Sequence, residues 1–352
     1  MAPQASVRRL ARRFDLTIAS PADLPLRRRK RGRGFGYEMA DGTPIVDPET
    51  LSRLRSLAVP PAYAKVRFAA DPRAHLQAVG EDAAGRVQYR YHPDWTLVRE
   101  TLKAQRLSGL SQALPAIQRA VRRGLRRPAS DRGFALAAVV QLVTLTAIRA
   151  GSEQYAQDHG TRGATTLLKS HLTIDGDTVT LAFTGKGGKA IRKQAKDKAL
   201  AEALTRLKAL PGARLFKYRG DDGALHPVRA GDVNVFLKEV SGHDISLKDF
   251  RTLTASLGVL DQLGRMVPEG SERARRRQIR EAIAPLADEL ANTLTVCRTS
   301  YVHDSVIAAF EAGRLAKAAQ PARSPTARMQ LLARLLRSKN CRPAREQSAP
   351  TG

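Results

Sequence analysis

The chain has 352 residues, long enough for two domains, and a hydrophobic content of 42% can support packed cores. With 60 lysines and arginines against 33 acidic residues, its formal charge is +27, which implies a polyanionic partner, nucleic acid ahead of a membrane surface. No apolar run reaches about 18 residues, so no membrane span is expected; the only cysteines, Cys297 and Cys341, are too few for a disulfide framework or a zinc centre and fit a reducing compartment.

Met1 to Arg13 is basic but lacks the apolar segment of a secretory signal. Residues 1–33 read as a basic N-terminal arm, with the folded domain starting at about 16. The arm ends in Arg27-Arg28-Arg29-Lys30-Arg31-Gly32-Arg33, which fits a solvated arm, a localisation signal or a phosphate-contacting lead-in to a strand. Residues 34–96 read as a strand-rich domain. Its β-like segments lie at 34–37, 66–68 and 76–80, separated by the turn Ala40-Asp41-Gly42-Thr43 and a short helix from Pro48 to Leu57 that Val59-Pro60-Pro61 ends. The turn from Asp82 to Arg86 leads into a strand with Val87, Tyr89 and Tyr91 on one face and Gln88 and Arg90 on the other. Aromatic and polar groups beside Arg86 and Arg90 suit DNA grooves and backbone, and the same pattern describes an ordinary half-buried strand.

From residue 97 the periodicity turns helical, and 97–316 reads as one mainly α-helical domain. Basic amphipathic helices are expected at 97–107 and 109–125, then an apolar helix from Phe134 to Ile148, with Gly151 as its cap and Arg149 emerging from it. Residues 171–195 break this pattern with a β-hairpin and a third strand, and Gly185, Gly187 and Gly188 place Lys186 in a turn that can approach another backbone. Lys248 and Arg251 lie three residues apart on one helical face, where like charges repel unless an anion or solvent screens them. A helix over 272–290 runs into a loop holding Asn292. Thr293 then caps a helix on which Leu294, Cys297 and Tyr301 share a face, so Tyr301 points inward. Residues 317–352, rich in Ala, Pro, Ser and Arg, read as a basic, mostly disordered tail with one helix from Arg328 to Arg337. The class is therefore α+β: a small strand-rich domain, then a mainly α-helical domain carrying a three-stranded sheet.

Taken singly, these residues have plain readings: a core tyrosine, a turn asparagine, solvated cations. Together Arg149, Lys186, Lys248, Arg251, Asn292 and Tyr301 form a set with no carboxylate pair and no metal-ligand cluster. Such a set suits phosphoryl transfer from a diester to a tyrosine without a metal or cofactor. A phenol is a stable covalent carrier, arginine forks match the charge spread over phosphate oxygens, and an amide can bond the same oxygens. A lysine with its pKa lowered by cationic neighbours can protonate the leaving alkoxide.

The motifs Arg33-Gly34-Phe35-Gly36-Tyr37, Gln88-Tyr89-Arg90-Tyr91-His92-Pro93, Ile148-Arg149-Ala150-Gly151, Phe183-Thr184-Gly185-Lys186, Lys248-Asp249-Phe250-Arg251-Thr252 and Asn292 to Tyr301 occur in that order. In this the sequence resembles bacterial type IB DNA topoisomerases of the poxvirus-like group over about residues 16–316. The resemblance implies that Tyr301 is the nucleophile that takes the 3′ phosphate and expels a 5′ hydroxyl. It implies that Arg149 and Arg251 clamp the scissile phosphate, that Lys186 is the general acid, that Lys248 supports them, and that Asn292 fills a position held by histidine in many relatives. Gln88, Tyr89 and Tyr91 match residues that touch DNA near the cleavage site, and Arg86 and Arg90 flank them as further candidate contacts. A monomer closing as a clamp on double-stranded DNA, relaxing supercoils without ATP or metal, and a cytoplasmic, nucleoid-associated location are implied likewise.

The chain departs from the pattern at Thr144, where an aspartate is expected, at Leu253, where a tryptophan is, and at Ala150 and Ser152, in place of valine and asparagine. Two rivals remain. A tyrosine recombinase uses a similar Arg, Lys, Arg, Tyr set, but Lys248 and Asn292 stand where it usually has histidines. A non-enzymatic nucleoid protein needs only the bulk charge and gives Tyr301 no special role.

Overall fold

The computed structural model describes residues 5–319 and 324–337 and divides into two units after Leu102. In the first unit, helix α1 (Ala5–Arg13) precedes β1 (Leu26–Arg31) and β2 (Gly34–Glu38); α2 (Pro48–Ser56), β3 (Ala64–Phe68), β4 (Leu76–Glu81) and β5 (Val87–Tyr91) follow. The strands form one antiparallel sheet in the order β2-β1-β3-β4-β5. Leu26, Val66, Phe68 and Ala78 pack on one face of it against Leu54 of α2. The basic cluster is thus not an arm: Arg27 to Arg31 are strand β1, paired on both sides, with Leu26 anchoring it in the core. Strand β5 is an edge strand with Val87, Tyr89, Arg90 and Tyr91 all exposed, so the expected one-sided burial does not occur there.

Helix α3 (Trp95–Gly124) spans the division between the units and is a single 30-residue helix where two were expected. Gly109 does not break it. An interior glycine costs only about 1 kcal/mol, less than the burial of Leu107, Leu110 and Ile117 around it contributes, and its bare Cα faces His243, whose ring a Cβ would meet at 2.9 Å.

The second unit continues with α4 (Arg132–Thr146), α5 (Glu153–His159), β6 (Leu172–Asp175), β7 (Thr178–Thr184) and β8 (Ala190–Lys196). Then come α6 (Lys198–Ala209), β9 (Lys217–Arg219), β10 (Leu225–Pro227), α7 (Ala230–Ser241), α8 (Leu247–Leu263), α9 (Glu272–Glu289), α10 (Leu294–Ser300), α11 (Asp304–Glu311), α12 (Leu315–Ala319) and α13 (Pro325–Arg337). Strands β6, β7 and β8 form the expected antiparallel three-stranded sheet. Helix α4 is apolar all round, as a core helix must be, with Phe134, Val139, Leu142 and Val143 buried. It stops at Thr146 rather than Ile148, because Ala147 takes the left-handed conformation (φ 50°) and returns its N–H to Val143. Gly151 (φ 97°) does not cap this helix but turns the following loop.

Where a disordered tail was expected from residue 317, α13 instead buries Leu331 and Leu332 in the main core, and Arg328 pairs with Asp261 on α8. The leucines that gave this segment its helical periodicity are what dock it. The remainder of that expectation, at 320–323 and 338–352, lies outside the described residues, as does Cys341. Among the described residues no helix is long and apolar enough to cross a membrane.

Candidate active site around Tyr301

Three segments converge on Tyr301. Helix α8 begins with a cap in which Ser246 N–H and Oγ–H both donate to the Asp249 carboxylate, at 2.8 and 2.9 Å. This fixes the first turn, and Arg251 then points into the core, 3% exposed. Its Nη1 donates to the carbonyl of Ala147 and its Nη2 to that of Leu290 at 2.9 Å, while its Cζ stands 5.0 Å from the centre of the Tyr301 ring. Its Nε is buried with no acceptor.

The second segment carries Arg149, whose Nη2 donates to Asn292 Oδ1 at 2.5 Å and to the Ala291 carbonyl at 3.3 Å. The backbone here is held by a close approach. Ala164 N–H donates to the Arg149 carbonyl and Thr165 N–H to that of Ala150, both at 2.8 Å. A Cβ on Gly163 would lie 2.5 Å from Gly151 N and 2.6 Å from the Arg149 carbonyl oxygen, so only glycine fits.

The third segment is the loop between α9 and α10. Asn292 stands before the Thr293 cap as expected, 8% exposed, with its Nδ2 buried and without an acceptor. Ala147 and Ala291 both adopt positive φ (50° and 49°) without being glycine, and each offers its carbonyl to one of the two arginines. Backbone strain of about 1 kcal/mol at each persists because the surrounding contacts hold it. Tyr301 is 8% exposed and lies one residue past α10, as its C-terminal cap residue (φ −123°), so it is not on the helix face that spacing suggested. Burial pushes its phenol up, but Arg251, by charge and hydrogen bonding, and then Arg149 and Lys248 outweigh this and hold it below the usual tyrosine value.

The structure thus brings Arg149, Arg251, Asn292 and Tyr301 together. Lys248 is exposed at the start of α8 and reaches the phenol by its charge rather than by sharing Arg251's buried side. Lys186 is exposed in the hairpin turn and lines a cleft with Arg149, Tyr155 and Arg162. Two cations escaped the sequence reading. Arg162 and the half-buried Lys193 line a cavity with Arg149 and Arg251; burial, opposed by Glu289 and aided by Arg251, lowers Lys193. In a segment as basic as Lys189 to Lys198 nothing local marks Lys193; only the alternation of β8 hinted that it turns inward.

Within the first unit, Gln88 Nε2 and Arg86 Nε both donate to Asp82 Oδ2, at 2.8 and 2.9 Å. Arg90 reaches the Ala58 carbonyl at 3.2 Å, and the Tyr89 and Tyr91 rings stack with centres 6.1 Å apart. Tyr89 and Tyr91 stay 46% and 43% exposed, although Tyr91 also stacks on Trp95 with ring centres 6.3 Å apart.

The family model for the catalytic core of eukaryotic DNA topoisomerase I matches residues 95–324, which include every residue around Tyr301 described above. The chain belongs to the type IB DNA topoisomerase family. The model of the bacterial DNA topoisomerase IB N-terminal domain matches residues 34–82. DNA topoisomerase 1B of Acanthamoeba polyphaga mimivirus is 29% identical over 292 residues, 81% of this chain and 87% of that protein. DNA topoisomerase 1B of Vaccinia virus (strain Copenhagen) is 26% identical over 108 residues, 31% of this chain and only 34% of the viral protein. The two departures with the largest change of side chain do not open this type IB site. Leu253 packs in the core at 7% exposure, and Thr144 faces outward with its Oγ bonded to the Val140 carbonyl at 2.8 Å.

Proposed function

We propose that this type IB topoisomerase relaxes supercoiled duplex DNA through a transient 3′-phosphotyrosyl link to Tyr301. The observation that carries the reading is a pair of buried donors without acceptors, Arg251 Nε and Asn292 Nδ2, beside a phenol whose pKa is held down by three cations. Buried donors are nearly always satisfied; a phosphate oxygen is the acceptor that this pair, with the remaining hydrogens of Arg149, is shaped to receive.

In the proposed step Tyr301 Oη attacks phosphorus in line, the bond from phosphorus to the 5′ oxygen breaks, and the phenolic proton passes to solvent. Lys186 delivers a proton to the departing 5′ oxygen, and Lys248 adds charge at the phosphate. One diester replaces another, so the bond energy is retained and religation needs no ATP. The positive groups supply the charge stabilisation that a metal gives elsewhere. Between the two steps the free 5′ end swivels. Exposed Tyr89 and Tyr91, with Gln88, Arg86 and Arg90, are proposed as DNA contacts, and closure of a monomer as a clamp around the duplex, in the cytoplasm, belongs to the same reading.

The test is relaxation of supercoiled plasmid in EDTA without ATP by wild type and Tyr301→Phe, compared at equal DNA occupancy. Relaxation by wild type alone, with a denaturant-trapped nick joined to protein at its 3′ side, is the expected result. Relaxation by both sinks the assignment of Tyr301. Binding by both with no change in linking number sinks the reaction itself and favours a DNA-coating role.

A further inference from the structure

Tyr301 does not sit on a helix. It stands at the end of α10 in a turn whose conformation decides where its Oη points, and α10 is only seven residues long. Within that turn Tyr301 N–H and Val302 N–H both return to the Cys297 carbonyl, at 3.0 and 3.1 Å. Side chains from two other helices take the carbonyls that follow. Lys103 on α3 donates from Nζ to Thr299 O at 3.1 Å and to Val302 O at 3.3 Å. Ser256 on α8, fully buried, donates from Oγ to Tyr301 O at 3.1 Å and accepts from His303 N–H at 3.3 Å.

We propose that Lys103 and Ser256 are positioning residues for Tyr301, holding its turn from both sides so that the phenol meets the phosphate in line. Two observations support this. First, Ser256 and Arg251 share α8, so the helix that aims the arginine also fixes the main chain of the tyrosine it faces, and the two move as one body. Second, Lys103 binds the carbonyls on either side of Tyr301, residues 299 and 302, at the negative end of a helix, where a cation is favoured as well as a donor. A nucleophile displaced by about 1 Å loses about 100-fold in rate, and removing these hydrogen bonds frees the turn without changing the Tyr301 side chain or either arginine.

This inference rests on Tyr301 being the nucleophile, and the experiment separates the two. Wild type, Lys103→Met, Lys103→Arg and Ser256→Ala are each mixed with a duplex bearing a cleavable strand whose short downstream fragment, the one that leaves with the 5′ hydroxyl, is lost on cutting. Single-turnover adduct formation is followed at saturating DNA, and DNA affinity and thermal midpoint are measured alongside. If wild type forms no adduct, or forms it at another residue, the reading of Tyr301 fails before the variants are considered. If wild type reacts, Lys103→Met and Ser256→Ala are expected to lower the adduct rate constant by about 10- to 100-fold with DNA affinity within about 2-fold. Religation from preformed adduct should slow by a similar factor, since both directions cross the same geometry, and Lys103→Arg should recover most of the rate. Partial unfolding lowers the amplitude and leaves the rate constant alone, which distinguishes a merely structural role. An unchanged rate constant in Ser256→Ala and Lys103→Met overturns the proposal, and so does a loss confined to DNA affinity. If Lys103→Met is not recovered folded, Lys103→Gln reads the same hydrogen bonds under the same two outcomes.

Discussion

Strand β1 and the surroundings of Tyr301 are both dense in cations, and they use them in opposite ways. On β1, Arg27, Lys30 and Arg31 are exposed; Arg28 spends its fork on the Val59, Pro60 and Tyr63 carbonyls and stacks on Phe35, and Arg29 pairs with Glu38. Around Tyr301, Arg251 is buried, takes two carbonyls, and still keeps an unsatisfied Nε. Exposed cations screened by salt attract any phosphate of any sequence. A desolvated donor with no acceptor is a standing demand for one particular ligand atom. The difference teaches that charge density identifies the partner, while unsatisfied burial identifies the chemistry.

The sharpest way to break this comparison is Arg251→Gln. If the buried cation acts on the phosphate, adduct formation falls by about 1,000-fold or more while DNA affinity changes little. The same variant carries a pH signature. Arg251 is the main group that offsets the burial of Tyr301, so its removal leaves burial in command and moves the phenol's midpoint up, away from the wild-type position below the ordinary value of about 10. Phenolate absorbance of the free protein, corrected by subtracting Tyr301→Phe, reads this without catalysis; a midpoint unmoved by Arg251→Gln contradicts the electrostatic account.

Gly163→Ala comes next. The added Cβ would press on Gly151 N and the Arg149 carbonyl oxygen at 2.5 and 2.6 Å; both are backbone, so Arg149 must shift. We expect a loss of about 100-fold in adduct rate and a lower thermal midpoint, from calorimetry and single-turnover cleavage together. Wild-type activity would show that the loop yields and that Arg149 is not held as described. The smallest effect belongs to the first region. Replacing Arg27 and Arg31 with glutamine should weaken DNA binding uniformly across sequences and reduce the slope of log affinity against log salt by about 0.9 for each phosphate no longer neutralised. Cleavage at saturating DNA should not change, and a slowed cleavage step would erase the distinction between the two regions.

Much of this organisation was legible in the chain itself. The hairpin over 171–195 declared itself because Asp175-Gly176-Asp177 joins two β-branched runs, and the helix over 272–290 because its helical period is long. The site residues were legible because their order along the chain matches a family pattern. Less legible were features set by packing at a distance. Thr146 rather than Ile148 ends α4 because Ala147 turns left-handed, α13 docks where its composition suggested a tail because Leu331 and Leu332 find the core, and Gly109 passes through α3 because burial around it outweighs a local preference of about 1 kcal/mol.

What the sequence alone determined is the inventory: a polyanion partner from its charge, a strand-rich part followed by a helical one from its periodicities, and a tyrosine, two arginines, an asparagine and a lysine in the order of a family pattern. Only the tertiary structure decided that Arg149 and Asn292, 143 residues apart, share a hydrogen bond. It alone decided that Arg251 faces the phenol with a donor to spare, and that Lys103 and Ser256 grip the turn of Tyr301 from different helices. The reason is physical: local propensity reaches only a few residues along the chain, whereas desolvation and the satisfaction of buried donors are properties of a packed interior that no single segment contains.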